Sequence, residues 1–262
     1  MVTLVALVPA VFAPHSPYDQ NLANRLRPPV WLAGGSGDHL LGTDAVGRDV
    51  LSRIIYGARV SLLVGIMAVL VSGALGVAAG VLAGYFRGPV DDLIMRVAEV
   101  QLSFPFILAA VAIVSVLGAG LRNIIIVLGV TGWTTYARVV RGMTLALRQR
   151  EFIEGARAIG CSHVRIMLRY VLPNIAGTTM VLATFTLATF IIAESGLSYL
   201  GLGVQPPTPT WGGMLADGYL FLRTGWWLTT FPGLVLMLTV LAINVLGDWA
   251  RDVLDPRLRH TI

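Results

Sequence analysis

The chain has 262 residues, of which 19 are Lys or Arg and 14 are Asp or Glu, for a formal net charge of +5. Charged residues make up 13% and hydrophobic residues 56%, against about 25% and about 45–50% in soluble domains. So few charges cannot cover the surface of a soluble domain of this length. The composition therefore predicts a membrane protein built as one multi-span domain.

The basic residues and the cysteine exclude several kinds of site. All 19 basic residues are arginine, so the chain lacks the lysine of a P-loop nucleotide site and the lysine of Schiff-base enzymes. The single cysteine, Cys161, permits no internal disulfide. No metal site is predicted, because the histidines lack metal-ligand spacing; they are His15, His39, His163 and His260. The arginines lie between apolar runs, which favours membrane topology over nucleic-acid binding.

The N-terminal segment is apolar from Met1 to Phe12, and Pro14 and Pro17 then end any helix. A spanning helix needs about 20 residues, so we predict the outer half of a first span that is truncated or short. An interfacial segment is the alternative. The outer segment (residues 14–59) follows, and its apolar pattern over 50–55 predicts a helix along the membrane surface.

Five further apolar runs predict spans, one of them extended past Arg138, whose side chain reaches the headgroups. They are 60–86, 100–121, 123–140, 170–193 and 224–247. We therefore predict an all-α polytopic protein with about six transmembrane helices. The arginine-dense segments 87–99, 138–169 and 251–259 belong in the cytoplasm by the positive-inside tendency, and both termini with them.

Small residues occupy every fourth position of the second predicted span: Ser72, Gly76, Gly80 and Gly84. This small-residue stripe lies along one helix face and lets a second helix approach closely. We interpret it as a packing surface inside the bundle, with a gating role as the alternative.

The cytoplasmic segment 138–173 is too long and too patterned for a simple connection between spans four and five. Phe152, Ala156 and Ile159 recur at helical spacing and predict one apolar face on a short helix. Glu151 and Glu154 are near its start, where the helix dipole favours anions.

Gly160 breaks this short helix, and Ser162 caps a second one. Pro173 is predicted to open the next span, where its missing N–H costs little. The apolar face has no partner in so small a chain, and its acidic neighbours disfavour anionic lipid. The pattern therefore favours a protein partner over the membrane surface.

This segment resembles the EAA loop of ABC importer permeases through Glu154-Gly155-Ala156, Gly160 and Leu172-Pro173. Two positions depart from the family pattern: Gly155 stands where alanine is usual, and Tyr170 where isoleucine is usual.

Further motifs resemble the C-type permease subunit of the dipeptide, oligopeptide and nickel importers, and the resemblance extends over residues 38–259. They are Leu41-Gly42-Thr43-Asp44, Gly47-Arg48-Asp49, Gly196-Leu197-Ser198-Tyr199-Leu200-Gly201, Trp211-Gly212-Gly213 and Asp255-Pro256-Arg257.

The resemblance implies a permease domain over 60–250, preceded by a partial span and outer segment in 1–59 and followed by a cytoplasmic tail in 251–262. In that family the short cytoplasmic helix is a coupling helix seated in a groove of an ATPase subunit. The residues that match this role are Glu151, Phe152, Glu154, Gly155, Ala156, Arg157, Ile159, Gly160, Leu172 and Pro173.

The resemblance also implies an assembly in the bacterial inner membrane. Its other members are a B-type permease, two ATP-binding cassette subunits that hold ATP and Mg, and an extracytoplasmic solute-binding protein. This chain would be a non-catalytic subunit in the lipid bilayer without a cofactor of its own, forming half of an alternating-access pathway for peptides. Nickel chelates, glutathione and haem-like compounds are alternative cargoes.

Polar groups within the spans are candidates for the translocation pathway. The hydroxyl candidates are Thr131, Thr134, Thr178 and Thr184, each with the alternative of a hydrogen bond to its own helix. Glu194, at the outer end of the fifth span, is the candidate for the pathway mouth, with a solvated helix end as the alternative. A self-sufficient channel or a secondary transporter is less favoured, because neither intramembrane charges nor Gly/Pro-broken helices in repeated halves stand out. An intramembrane enzyme is less favoured because the predicted spans hold no histidine and the chain has no GxSxG motif.

Overall fold

The computed structural model describes residues 6–254. This part of the chain is helical, and its β pairing is one isolated bridge between Thr43 and Asp49. The helices from Pro9 onward, labelled in chain order, are α1 (Pro9–Phe12), α2 (Val50–Phe86), α3 (Gly88–Leu102), α4 (Phe106–Leu117), α5 (Leu121–Arg148), α6 (Glu151–Ala158), α7 (His163–Tyr199), α8 (Trp211–Tyr219) and α9 (Trp227–Leu254).

Four helices among the described residues are long and apolar enough to cross a membrane: α2, α5, α7 and α9. Counting the bent pair α3 and α4 as one span raises the number to five. The all-α prediction is confirmed. The predicted first span falls partly on residues 1–5, and the motif 255–257 and most of the predicted tail fall on 255–262; both ranges lie outside the described residues.

The predicted surface helix over 50–55 is wrong as a separate element. These residues are the first turns of α2, which continues for 37 residues without a break. Asp49 caps α2, since its Oδ2 accepts the backbone N–H of Ser52 at 2.8 Å. No proline follows within α2 to end the helix, so the cap and the span belong to one element.

The predicted span over 100–121 is broken. Helix α3 ends at Leu102 and α4 begins at Phe106, with a bend of 93° between them. Pro105 accounts for the break, because it has no N–H to donate and it biases the preceding residue away from helical geometry. The 12 residues of α4 are too few to span a bilayer alone.

The chain forms two compact units, the first comprising Met1–Ile66, Ile113–Ile125 and Ala188–Ala242. Its core joins the start of α2 to α8 and α9. The buried members of this core are Val50, Ile54, Met214, Trp227 and Leu228. The indole N–H of Trp227 donates to the carbonyl of Thr43 at 3.2 Å, which ties the outer segment to this core.

The second unit comprises Met67–Ala112, Ile126–Leu187 and Ile243–Ile262. Its core takes side chains from α2, α5, α6 and α7. They are Val81, Tyr85, Val140, Ile153, Ala156, Ile166, Val171 and Ile175. The short helix α6 is therefore packed on three spanning helices of its own unit.

The small-residue stripe of α2 lies against α5 in the second unit. A Cβ added to Gly76 would lie 2.3 Å from the carbonyl oxygen of Trp133, and one added to Gly80 would lie 2.6 Å from another α5 carbonyl. Gly84 approaches α5 equally closely, and Ser72 is buried. Since these distances are inside van der Waals contact, a larger residue would force the helices apart.

Pro173 is the second residue of the α-helical stretch Leu172–Tyr199 of α7, as predicted, but helical structure also extends back to His163. A π-helical turn, Met167–Val171, comes directly before this stretch. Proline lacks an N–H, and its ring clashes with the carbonyl four residues earlier, so a widened turn accommodates it. The second short helix predicted after Ser162 is thus the first turn of α7.

Candidate functional site

Helix α6 has one face buried in its own unit. Ile153 is fully buried and Ala156 nearly so, both in the cluster shared with α2, α5 and α7. The predicted apolar face of Phe152, Ala156 and Ile159 is therefore wrong in part. Ala156 faces inward with Ile153, a residue outside the predicted face.

The face of α6 next to this buried one is apolar and open. The side chain of Phe152 is 45% exposed and that of Ile159 78% exposed. Gly155 lies between them at helical spacing, and a Cβ at this glycine would meet no heavy atom within 4 Å. We call Phe152, Gly155 and Ile159 the α6 outer face; it presents two large apolar side chains around a flat centre.

Charged residues frame α6 as the sequence predicts. Glu151 and Glu154 occupy the first turn and are exposed, and Arg157 is in the last turn. This arrangement complements the helix dipole.

Arg157 stacks over a ring of α2. Its guanidinium carbon lies 5.4 Å from the ring centroid of Tyr85, within the range of a cation–π contact. The hydroxyl of Tyr85 is 2.9 Å from Nδ1 of His163, at the start of α7. Tyr85 therefore links α2, α6 and α7, although no local pattern in the sequence marked it.

The bend after α6 is built by a glycine and a serine. Gly160 has a φ of +80°, in the left-handed region that favours glycine. The hydroxyl of Ser162 accepts the backbone N–H of Arg165 at 3.4 Å and caps the next helical turn. In α7, Leu172 is half-buried and Pro173 is exposed.

The predicted pathway hydroxyls have different environments. Thr131 donates to the carbonyl of Val127, and Thr184 donates to the carbonyl of Val181, both at 2.7 Å. Thr134 is buried, and Thr178 is exposed. The hydroxyls of Thr131 and Thr184 are thus engaged by their own helices.

Glu194 is fully buried in the first unit, so the alternative of a solvated helix end is wrong, while its place at the pathway mouth stays a prediction. Its carboxylate accepts the hydroxyl of Ser198 at 2.7 Å, that of Ser61 at 2.9 Å and that of Ser195 at 3.4 Å. These three hydroxyls offset the loss of water around a buried carboxyl group.

The family follows from the sequence comparisons. A family model described as the binding-protein-dependent transport system inner membrane component matches residues 76–260. The chain belongs to this family of transport permeases. Membership places the chain in a membrane, in agreement with its apolar helices.

Relatives of this permease match nearly its whole length. The di/tripeptide transport system permease protein DppC of Pseudomonas aeruginosa strain UCBPP-PA14 is 42% identical, over 99% of this chain and 86% of that protein. The dipeptide transport system permease protein DppC of Bacillus subtilis strain 168 is 42% identical, over 98% and 79%. The glutathione transport system permease protein GsiD of Escherichia coli O157:H7 is 43% identical, over 98% and 84%.

A solved structure shares the fold of this permease. The structure described as inward facing conformations of the MetNI methionine ABC transporter aligns with a TM-score of 0.63 at 21% sequence identity. The alignment covers 78% of this chain and 96% of the matched chain.

The outer segment of the permease contains an ion-pair network around Asp44. This carboxylate accepts from Nε of Arg48 at 2.6 Å and also pairs with the guanidinium of Arg53, which is 5% exposed. Arg53 reaches the half-exposed carboxylate of Asp217 at 3.3 Å as well. We call these four residues the Asp44 network.

Opposing effects act on the pKa of Asp44. Burial raises it, but the positive charge of Arg53, the backbone N–H of Arg48 and the charge of Arg48 lower it more. The net pKa lies below the ordinary value of an aspartate. Asp44 is therefore ionised at neutral pH, and its charge compensates the buried guanidinium of Arg53.

Proposed function

We propose that this permease is one of two membrane subunits of an ATP-driven importer and that it forms half of an alternating-access pathway. The observation that carries the proposal is helix α6. Ile153 and Ala156 anchor it to three spanning helices of its unit, while the α6 outer face is open and apolar. A helix with this combination is suited to receive force from a partner and pass it to the spans.

The proposed partners are inferred from the absence of lysine in the chain and from its family. Without lysine it cannot build a P-loop, so ATP hydrolysis requires other subunits, which would bind ATP and Mg. We propose two ATP-binding cassette subunits, one of which binds α6, a B-type permease as the second membrane subunit, and an extracytoplasmic solute-binding protein. The family description, which includes the words binding-protein-dependent, supports the last of these.

The proposed contact between α6 and an ATPase also sets the orientation of the permease in the membrane. The α6 outer face must meet an ATPase in the cytoplasm, so the arginine-rich connection between α5 and α7 lies on that side. Both termini are then cytoplasmic in the bacterial inner membrane, and the outer segment faces the opposite side.

We propose peptides as the cargo. The relatives named for di/tripeptide and dipeptide transport support this at 42% identity. Glutathione is the second candidate, supported by the relative named for its transport at 43% identity. Glutathione is itself a tripeptide, with one γ-linked peptide bond, so the two candidates belong to one chemical class.

Uptake measurements test the cargo. A strain lacking the gene should lose uptake of a radiolabelled dipeptide, and the intact gene on a plasmid should restore it. Unlabelled dipeptide in excess should abolish the restored uptake, whereas excess glutathione should leave most of it. Stronger inhibition by glutathione than by unlabelled dipeptide would reverse the order of the two cargoes. Equal uptake of labelled dipeptide and of labelled glutathione with and without the gene would contradict both.

Charged or bulky variants of α6 test the coupling role. We expect Ile159→Glu and Glu154→Lys to leave membrane insertion intact and to reduce transport at least tenfold, because both side chains are exposed and make no core contact. Gly160→Asp should have the same effect through strain at a φ of +80°. Transport and co-purification of the ATPases with the tagged permease are the measurements.

Leu220→Glu is the matched control for Ile159→Glu. Leu220 is 82% exposed and follows α8, far along the chain from α6. Its variant should retain the ATPases at wild-type yield. If Ile159→Glu and Glu154→Lys also retain the ATPases and transport normally, the coupling role of α6 is wrong.

A further inference from the structure

Two histidines and an aspartate of the outer segment converge in the first unit. Oδ1 of Asp49 lies 3.0 Å from Nδ1 of His39 and 3.9 Å from Nδ1 of His15. One ligand atom from each residue lies within 4.8 Å of the other two. We call these three residues the His-Asp cluster. The two histidines are far apart in sequence, so a spacing rule does not reveal them.

We propose that the His-Asp cluster binds a divalent transition-metal ion, with Zn²⁺ as its typical occupant. Imidazole nitrogens and a carboxylate oxygen are ligands that Zn²⁺ prefers, at about 2.0–2.2 Å. In a tetrahedral site such bonds place neighbouring ligand atoms about 3.4 Å apart. The distances from Asp49 Oδ1 to the two Nδ1 atoms, 3.0 and 3.9 Å, bracket this value.

The position of His15 favours a metal over simple hydrogen bonding. At 3.9 Å its Nδ1 is too far from Asp49 Oδ1 for a hydrogen bond but near enough to share an ion with it. The ring centroids of His15 and His39 are 4.8 Å apart and tilted by 39°. Both rings therefore direct a nitrogen toward the same carboxylate oxygen.

Ser52 orients Asp49 through hydrogen bonds to Oδ2, the carboxylate oxygen that is not shared with the histidines. Its backbone N–H and hydroxyl donate to Oδ2 of Asp49 at 2.8 and 2.7 Å, which leaves Oδ1 to the histidines. The Ser52 hydroxyl oxygen also accepts the backbone N–H of His15 at 3.0 Å. Carboxylate ligands of metals are commonly oriented by such additional hydrogen bonds.

Asn24 supplies a partner for the other nitrogen of His39. The amide nitrogen Nδ2 of Asn24 lies 3.5 Å from Nε2 of His39. A metal-bound histidine donates its second ring N–H to a carbonyl oxygen or a similar acceptor. The amide oxygen of Asn24 can accept that N–H after rotation about χ2.

The charge balance also calls for a cation. Asp49 is 2% exposed, and a buried carboxylate needs a positive partner. Within the described residues the ion pairs of Asp49 are those to His15 and His39, while Arg48 and Arg53 pair with Asp44 and Asp217. A Zn²⁺ ion bound at Oδ1 of Asp49 supplies a positive charge directly beside this buried carboxylate. The side chain of His15 is 39% exposed and gives the ion a route of entry.

The test measures Zn²⁺ binding to the purified full-length chain in detergent. After treatment with a chelator and addition of ZnCl₂, the wild type should retain one Zn²⁺ per chain by elemental analysis. His15→Ala should weaken binding at least tenfold, because it removes one of three ligands while the backbone bond to Ser52 remains. At a hundredfold excess of Zn²⁺ over its Kd, the melting temperature of the wild type should rise by about 5 °C, and that of His15→Ala should not.

His163→Ala is the matched control, since His163 belongs to the second unit and lies against Tyr85. It should bind Zn²⁺ as the wild type does. The metal-free melting temperatures of the wild type and His15→Ala should agree, which shows that the variant folds. Absence of stoichiometric Zn²⁺ from the wild type, or a loss of less than tenfold in His15→Ala, overturns the site and leaves an ordinary His–Asp hydrogen bond. Neither outcome bears on the transport function, because the proposal does not depend on it.

Discussion

Gly76→Leu is expected to destabilise the permease by about 3 kcal/mol or more. The added side chain would begin 2.3 Å from the carbonyl oxygen of Trp133 and 2.5 Å from Cβ of Tyr136. One of these atoms belongs to the backbone of α5 and the other is fixed to it, so a rotamer change cannot relieve the clash. The helices must separate, and packing along the whole small-residue stripe is lost with them.

The measurement is thermal unfolding of the purified protein in detergent. We expect the midpoint to fall by about 6 °C or more, using about 2–4 °C per kcal/mol for a chain of this size. A Gly76→Leu protein that accumulates poorly would agree with this expectation, provided that its control accumulates normally.

Gly142→Leu is the control of equal size. Gly142 lies in α5, is exposed, and would place its Cβ more than 4 Å from any heavy atom. Leucine also has a better helix propensity than glycine, so this variant should melt at or slightly above the wild-type temperature. If Gly76→Leu melts within about 2 °C of Gly142→Leu, the close approach of α2 and α5 is wrong.

Asp44→Asn is expected to destabilise the first unit by about 3–5 kcal/mol. The substitution keeps the shape of the side chain but removes the charge that compensates Arg53. The guanidinium of Arg53 is buried, and its remaining partner would be the half-exposed Asp217. Breaking a buried ion pair from one side is costly because the other charge stays in the interior.

Asp217→Asn provides the comparison, because Asp217 pairs with the same arginine but has a side chain that is 51% exposed. Its loss should cost at most about 1 kcal/mol. Thermal unfolding or limited proteolysis of the outer segment measures both. Equal effects of the two substitutions would show that Asp44 has no special part in compensating Arg53.

The pH dependence has a defined sign. Because the folded-state pKa of Asp44 is lowered, its stabilising contribution is fully present above the ordinary carboxyl range. The contribution is lost as the pH falls through that range toward the folded pKa. The difference in melting temperature between wild type and Asp44→Asn should therefore be largest near neutral pH and shrink in acid.

Several features were predictable because they depend on local chemistry. The apolar runs predicted spanning helices, and the glycine spacing predicted a close helix contact. The position of Gly160 between two helical patterns predicted the bend after α6, where its φ is +80°. Each of these follows from neighbours within a few turns of the same helix.

Other features were missed or misplaced because they depend on distant neighbours. A short helix with Phe152, Ile153, Ala156 and Ile159 has apolar side chains on two faces, and its sequence does not say which face the bundle covers. Ile153 and Ala156 are buried because the cluster from α2, α5 and α7 lies on that side. Glu194 could not be distinguished from a solvated helix end until its serine partners were known.

The sequence alone determined the class of protein, the family and the existence of a short helix between two spans, since composition, periodicity and motif spacing are properties of the chain itself. Only the tertiary structure decided which face of α6 stays open, which helix receives the small-residue stripe, and that His15 and His39 meet at Asp49. The physical reason is that burial and charge compensation depend on distances between residues remote in sequence, and the fold alone sets these distances.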